Sequence, residues 1–440
     1  MKPVSVFKAG ESLNTPTPWF SYILITAIFL GVSNQWSMSD ASSMYESQLI
    51  SVASGDRIRR LLIPILGLFG FLDLIRPRRR RPILHGMLSL WIVSFVGWAV
   101  LSLFWADYLG LPVRRGIVFL ALGLCALSIA TRVSIRDVGW LMFLSSGTFL
   151  LASIIWELKS GRFDNLGPGY RFSGTFVSNL QGINCFFVSF SSMFLGDSSR
   201  KRRTSFYVAA IVGFGFLLLT KSRTGFAAAL LAILAYKALI WKGSRRVKMT
   251  YWIIFILMVL LLLFGEDFLQ AMSGGVSLGR GVEGGGATLN GRIPLWTECL
   301  RYWLERPLLG YGFNGFWTVD RMADVSSLQR WSIGSGHSIY IDVLLELGAV
   351  GLFLFIGVLA LAVRKALQLL VKCGDVGFAF VFGFLVFVAA EGLMESQFLT
   401  PSYIAFMVMV FLAHLGFSKE TNLEGRDRGF GQGERGVKGV

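Results

Sequence analysis

Cysteine, histidine and charge are the scarce materials of this 440-residue chain. The four cysteines, Cys125, Cys185, Cys299 and Cys373, form no C-x-x-C pair, and three of them sit in or beside apolar runs, so neither a disulfide framework nor a zinc site is indicated. A Walker lysine motif and H-E-x-x-H are both missing, which takes support from ATP-driven transport and metalloprotease action. GYGFNG, residues 310–315, satisfies the G-x-G-x-x-G expression, but no strand precedes it and no βαβ unit surrounds it, so it reads as a chance match. Charged residues make up only 15% of the chain against 54% apolar, with mean hydropathy +0.61, which excludes a series of soluble domains.

Long apolar runs are plentiful instead. They fall near 20–32, 61–75, 83–105, 116–130, 138–156, 182–196, 205–220, 225–241, 250–265, 347–363, 376–394 and 400–417. A bilayer core about 30 Å thick needs roughly 20 apolar residues per helix, so these runs predict an all-α polytopic membrane protein with about twelve transmembrane helices. The first run lacks a small-residue cleavage site and reads as an uncleaved span. The net charge of +16 could suit nucleic acid in a soluble protein; here its placement encodes topology, and no nucleic-acid partner is expected.

Every second connection is basic: Arg76 with Arg78, Arg79, Arg80 and Arg81; Arg132 and Arg136; Arg200, Lys201, Arg202 and Arg203; Lys242, Arg245, Arg246 and Lys248; Arg364, Lys365 and Lys372. The positive-inside rule puts these loops and both termini in the cytoplasm, although Arg57, Arg59 and Arg60 on an outer connection weaken the contrast. The chain then divides into helices 1–9 over 1–265, a large outer loop over 266–346, helices 10–12 over 347–417 and a cytoplasmic tail over 418–440. The Gly-rich, charged tail has almost nothing to bury and is expected to be disordered. The Gly-rich stretch 273–286 is expected to be flexible, whereas 294–306 and 337–347 show helical spacing, so the outer loop is partly helical.

The same topology sorts the histidines. His85 and His414 fall near cytoplasmic helix ends, and His337 lies at the end of the outer loop, where an imidazole suits proton acceptance from a hydroxyl. Arg223, in KSRTG, and Arg292, in LNGRIP, both lie on the outer side. Each has a plain reading, as a snorkelling helix-end cation and a solvated loop charge respectively. Together their guanidinium forks suit a diphosphate. Glu391 and Glu395 are four apart at the outer end of the eleventh run and are expected to share a helix face, either as functional acids or as partners of a basic group. Asp342 is expected on a solvated face, and Glu346 lies one turn further on.

Several stretches, in order, resemble the O-antigen ligase and polymerase superfamily of bacterial membrane glycosyltransferases. They are LSLFWADYLGLPVRR, RFSGTFVSN, KSRTG, GRIPLW, ERPLLGYGFNGF and GHSIYIDVLLELGAVG, running from about residue 101 to 351. The resemblance implies a helical bundle with a large periplasmic loop in the bacterial inner membrane, and a glycan donor carried on undecaprenyl diphosphate. It maps the family's two arginines onto Arg223 and Arg292, its loop histidine onto His337, the glutamate of its LxExG segment onto Glu346 and the arginine before GTF onto Arg171. Family members commonly carry Asn after the histidine, where this chain has Ser338.

The implied catalytic set is His337, Arg223 and Arg292, with Arg171, Glu346, Glu391 and Glu395 toward substrate and no metal or cofactor. The acceptor is either lipid A core, for a ligase, or a second lipid-linked repeat, for a polymerase. SGDRIRRLL and WADYLGLPVRR look like exopolysaccharide-type relatives and favour the polymerase. Membrane lipids and other polysaccharide-export components are the remaining expected partners. The alternative is a transporter or flippase of lipid-linked sugars, which would concentrate polar groups near the bilayer midplane.

Overall fold

The computed structural model describes residues 57–75, 82–84, 86–164, 167, 170–199, 201–241, 253, 257, 292–329 and 333–417, with the side chains of 57–61 left aside. The described part is all-helical. Its helices are α1 (Arg57–Ile75), α2 (Gly86–Leu101), α3 (Gly110–Arg132), α4 (Ile135–Lys159), α5 (Ser178–Ser198), α6 (Arg203–Leu219) and α7 (Arg223–Ile240), followed by α8 (Arg292–Glu305), α9 (Val319–Gln329), α10 (Ile339–Cys373), α11 (Val376–Glu391) and α12 (Tyr403–Phe417). The run at 20–32, most of 250–265, the basic loops at 76–81 and 242–248, the glycine-rich 273–286, His85 and the tail 418–440 lie outside the described residues.

Among the described residues, five helical stretches are long and apolar enough to cross a membrane: Gly86–Trp105, Gly110–Arg132, Ile135–Lys159, Arg223–Ile240 and Ile339–Cys373. Four shorter apolar helices, Leu62–Ile75, Arg203–Leu219, Val376–Glu391 and Tyr403–Phe417, accompany them. α5 is set apart by Gln181, Asn184 and several serines, all of which it buries among its neighbours. The outward faces are apolar, with Leu151 62%, Ile211 70% and Phe353 65% exposed, as lipid-facing positions should be. This is a multi-pass membrane protein, and the count of twelve rests on the two runs outside the described residues.

Backbone groups in lipid must be satisfied within the chain, so the helix ends are closed locally. Ser134 and Asp137 form a reciprocal capping box at α4, Ser222 caps α7 and Asp375 caps α11. Gly374, at φ 69°, ends α10 in the left-handed region and turns the chain directly into α11.

Lipid offers helices no hydrophobic drive to associate, so packing quality decides. A Cβ on Gly213 would meet Ser189 and the Cys185 carbonyl, and one on Gly383 would meet Phe190, which shows how closely α6 and α11 approach α5. Phe186 stacks on Phe387 at 3.7 Å between ring centres and Phe194 on Phe380 at 4.3 Å, joining α5 to α11 along their lengths.

The two ends of the bundle differ. At one end Arg132 pairs with Asp73, His414 bonds the Val133 carbonyl, and Asp197 accepts from Lys237, Tyr207 and Tyr236. At the other end lie the 102–109 and 160–177 connections, Thr220, α8, α9 and the turn after α11.

α10 is broken at Gly348, with φ 67° and ψ −172°. The backbone groups freed by the break are satisfied by the preceding loop: the Ala349 amide donates to the Pro307 carbonyl at 2.9 Å, and the Leu345 carbonyl accepts from the Tyr311 amide at 2.9 Å. Gly310, also at positive φ, lies against Gly348, and a Cβ on either glycine would strike the other segment's backbone. The glycines of GYGFNG therefore serve close backbone packing, not a nucleotide.

A Gly348→Ala substitution combines left-handed strain, about 1–3 kcal/mol, with a clash against the Leu308 carbonyl. Thermal unfolding of the purified protein in detergent should drop for Gly348→Ala and stay unchanged for Gly147→Ala, whose added methyl meets open space. Equal melting of both variants would contradict the interlock.

Candidate functional site

The site is assembled from four connections at the end of the bundle away from Asp73, Arg132 and Asp197. The first leaves α4, where the fully buried Glu157 accepts from the amides of Ser173 at 3.1 Å and Gly174 at 2.8 Å and from the Tyr170 hydroxyl at 2.8 Å. That anchor turns the chain back across the bundle, and the Phe172 amide then bonds the Leu219 carbonyl. Arg171 is thereby held over the start of α7, its Nε donating to the Thr220 carbonyl at 3.2 Å and its Nη2 to Asn179 Oδ1 at 3.3 Å.

The second connection is the start of α7, where Ser222 caps the helix and Arg223, its first residue, holds an exposed side chain. A Cβ built on Gly225 would lie 3.8 Å from Glu391 Oε1, which puts this helix start beside the acid pair. The third is the start of α8, whose first residue is Arg292. One turn later Trp296 donates its indole N–H to the Gly336 carbonyl at 2.9 Å, joining α8 to the segment that carries His337.

Sequence spacing places His337 inside a helix; the structure places it two residues ahead of α10, at φ 47°. The turn is held from both sides. The Gly336 amide bonds Asp342 Oδ1 at 2.8 Å, and the Ile339 amide bonds the Gly392 carbonyl at 2.8 Å. Asp342 is thus no solvated residue: it is 5% exposed and also accepts from the Trp317 indole. A capping carboxylate buried under aromatic cover looks like a surface acid in a one-dimensional pattern.

The fourth connection follows α11, which stops at Glu391. Glu395 is therefore not on the helix, as the spacing suggested, but its amide still bonds the Glu391 carbonyl at 2.9 Å, so the two acids stay one turn apart. Glu395 is the hub. Its Oε1 accepts from Asn179 Nδ2 at 2.7 Å and from Arg292 Nη2 at 3.2 Å, and its Oε2 lies 4.0 Å from His337 Nδ1. The side chains of Arg292, Glu395 and His337 are 16%, 8% and 29% exposed, so these charges meet in a largely dry site.

Burial, and then the Arg292 guanidinium, hold the His337 imidazole down at about 4. Burial raises the Glu395 carboxyl above the usual range against the pull of Arg292 and Asn179. Glu391 is 2% exposed, and neither of its carboxyl oxygens has a hydrogen-bond partner among the described residues. It lines a small cavity together with Glu395, Ile339, Gln397 and Phe398.

Glu346 stands in a separate cluster: it accepts from the Asn314 amide at 2.7 Å, while Asn314 Oδ1 accepts from Arg115 at 2.9 Å. Arg292, Glu395, His337 and, through Asn179, Arg171 are therefore brought together. Arg223 and Glu391 border the group, and Glu346 braces the loop behind it. Asn179, Arg115 and Asn314 lay within the stretches that carry the resemblance, but residue type alone marked none of them. Among the described residues no three His, Cys, Asp or Glu side chains converge as metal ligands would.

Comparison with known proteins fits this geometry. The model of the O-Antigen ligase family matches residues 208–356. The exopolysaccharide production protein ExoQ of Rhizobium meliloti (strain 1021) is 27% identical over 380 residues, covering 80% of this chain and 82% of the relative. Both matches support the O-antigen ligase and polymerase family. The matched segment contains Arg223, Arg292, His337 and Glu346, whereas Arg171, Asn179, Glu391 and Glu395 reach the site from outside it.

A neutral imidazole can accept a proton, and here it stays neutral well below the ordinary histidine value of about 6.5. Labelled histidine titrated by NMR in the full chain should therefore show His337 gaining its proton only as pH falls toward 4. A His337 titration at about 6.5 would contradict the burial and cation effects on it.

Proposed function

We propose that this protein transfers or polymerises an undecaprenyl-diphosphate-linked glycan at the periplasmic face of the bacterial inner membrane, in the synthesis of a surface polysaccharide. The observation that carries the reading is the convergence of Arg292 and His337 on one buried carboxylate, with Arg171 joined through Asn179. Arg223 opens the neighbouring helix α7 with its side chain exposed. Beyond the inner membrane no nucleotide sugar is present, so a glycosyl donor arrives activated on its lipid, with diphosphate as the leaving group.

In the reaction an acceptor hydroxyl attacks the anomeric carbon of the donor sugar while its proton passes to His337. The bond between that carbon and the diphosphate oxygen breaks, and the electron pair leaves with the undecaprenyl diphosphate. Guanidinium groups of Arg223 and Arg292 stabilise the charge that develops there, in a dry site where such donors count most. Arg171 extends the positive rim toward substrate. With cations supplied by the protein, the transfer is metal-independent.

The SGDRIRRLL and WADYLGLPVRR stretches favour a polymerase of exopolysaccharide or O-antigen over a ligase acting on lipid A core. Glycan analysis of a deletion strain separates the two: a polymerase mutant accumulates single lipid-linked repeats, and a ligase mutant accumulates long ones. The basic loops support cytoplasmic termini, and on that reading a phosphatase fusion after Asp320 should be active and one after Arg246 silent.

Arg223→Ala, Arg292→Ala and His337→Ala should each insert normally and lose transfer from an undecaprenyl-diphosphate glycan in proteoliposomes. His337→Ala should lose about a hundredfold to ten-thousandfold in rate, as expected for a general base. Arg→Lys should rescue only partly, because lysine keeps the charge and loses the planar fork. His414→Ala, which removes a buried ring bonded to the Val133 and Val410 carbonyls, should lower abundance and not turnover. Near-normal turnover in the His337 or both arginine variants, or chelator-sensitive transfer by the unmodified protein, would overturn the mechanism.

A further inference from the structure

Resting on that reading, one difficulty remains in the site: an imidazole held at about 4 stays neutral, but it is a weak acceptor for a sugar proton. The arrangement of the Glu395 carboxylate supplies an answer. Its Oε1 is occupied by Asn179 and Arg292, while its Oε2 faces His337 Nδ1 at 4.0 Å, just beyond a hydrogen bond. The separation is set by backbone. The Ile339 amide and the Ser338 hydroxyl both bond the Gly392 carbonyl, so the histidine turn is tied to the chain three residues before Glu395.

We infer that Glu395 is a positioning residue that couples donor binding at Arg292 to the basicity of His337. In the resting site the Arg292 guanidinium takes one oxygen of the carboxylate, and the neutral imidazole stands off the other. When a donor diphosphate engages Arg292, the guanidinium turns its charge to phosphate, and Glu395 is left to receive the Nδ1 N–H of His337. The same event masks the cation that disfavours an imidazolium and frees the anion that favours one. As the acceptor hydroxyl gives its proton to Nε2, the imidazolium forms against the Glu395 carboxylate, and no further acceptor is needed within the site.

The charged groups around His337 are consistent with this. Arg292 comes from α8, Glu395 and Glu391 from the end of α11 and its turn, and Asp342 from α10, where it is already occupied by Gly336 and Trp317. Arg171 acts from across Asn179. Among the described residues, Glu395 is the carboxylate that faces both Arg292 and the imidazole.

The coupling is read in two ways. In the unmodified protein the acidic limb of kcat, measured with donor bound, should lie at higher pH than that of kcat/KM. Glu395→Gln keeps an acceptor for Asn179 and a similar shape; it should lower kcat about tenfold to a hundredfold, as loss of a supporting partner of a functional imidazole does, with little change in donor KM. It should also close the gap between the two limbs, and Glu395→Asp should restore part of each effect. A Glu395→Gln protein with normal kcat and an unchanged gap, or one with raised KM and normal kcat, would sink the coupling.

The second measurement needs no turnover and no variant at Glu395. Labelled histidine would be titrated by NMR in the full chain with and without inorganic diphosphate. The His337 resonance should titrate at higher pH when diphosphate is present, and His414 should not respond. No shift of His337 at saturating diphosphate would overturn the inference even if transfer proceeds as proposed. A clear shift in a protein that shows no transfer would leave the coupling standing and reject the enzymatic reading instead.

Discussion

The carboxylate of Glu395 cannot be left unmatched, because it sits 6% exposed at one end of a helical bundle where water cannot solvate it. Its two polar partners come from elements far apart in the chain, Asn179 at the start of α5 and Arg292 at the start of α8. Holding both draws Arg171 in through Asn179, and the tie from Gly392 to Ile339 brings His337 to the same place. A single buried anion thereby fixes two arginines and an imidazole relative to one another. That is the preorganisation the proposed transfer calls for.

The segments between α7 and α10 reach this carboxylate because they are packed, not draped. α8, α9 and the loop between them enclose their own small core of Leu295, Cys299, Tyr311, Phe316, Met322 and Val325. Trp98 and Trp105 donate indole N–H groups to the Leu347 and Leu309 carbonyls, and Asp107 pairs with both Arg306 and Arg321. The break at Gly348 lets the loop before it supply partners to the open turn of α10, so the irregular backbone is satisfied from within. Arg292 therefore belongs to a layer docked on the bundle, and its distance from Glu395 is a property of the fold.

The apolar runs and the alternation of basic connections gave the helices and the two distinct ends, because period, length and charge are local properties of a chain in a bilayer. His337 was legible as the one histidine of the 266–346 connection, and Arg292 through the GRIPLW stretch that carries the family resemblance. Glu395 was legible as an acid beside an apolar run, but its partners were not. Asn179 is one of many polar residues at a helix start, and Asp342 has the spacing of a solvated position while serving as a buried acceptor for Gly336 and Trp317. Glu346 was assigned with the substrate group, and the structure shows it bonded to the Asn314 amide beside Arg115.

Sequence by itself determined that this is a multi-pass membrane protein and narrowed the candidate side chains to a few at one end of the bundle, since hydropathy and motif order need no knowledge of neighbours. Only the tertiary structure decided which of them meet. The 2.7 Å and 3.2 Å contacts on Glu395 join positions more than a hundred residues apart, and no periodicity encodes the pairing. The pairing follows from the need of a buried charge for partners, met by whichever donors the packing of α5, α8 and α11 carries to it.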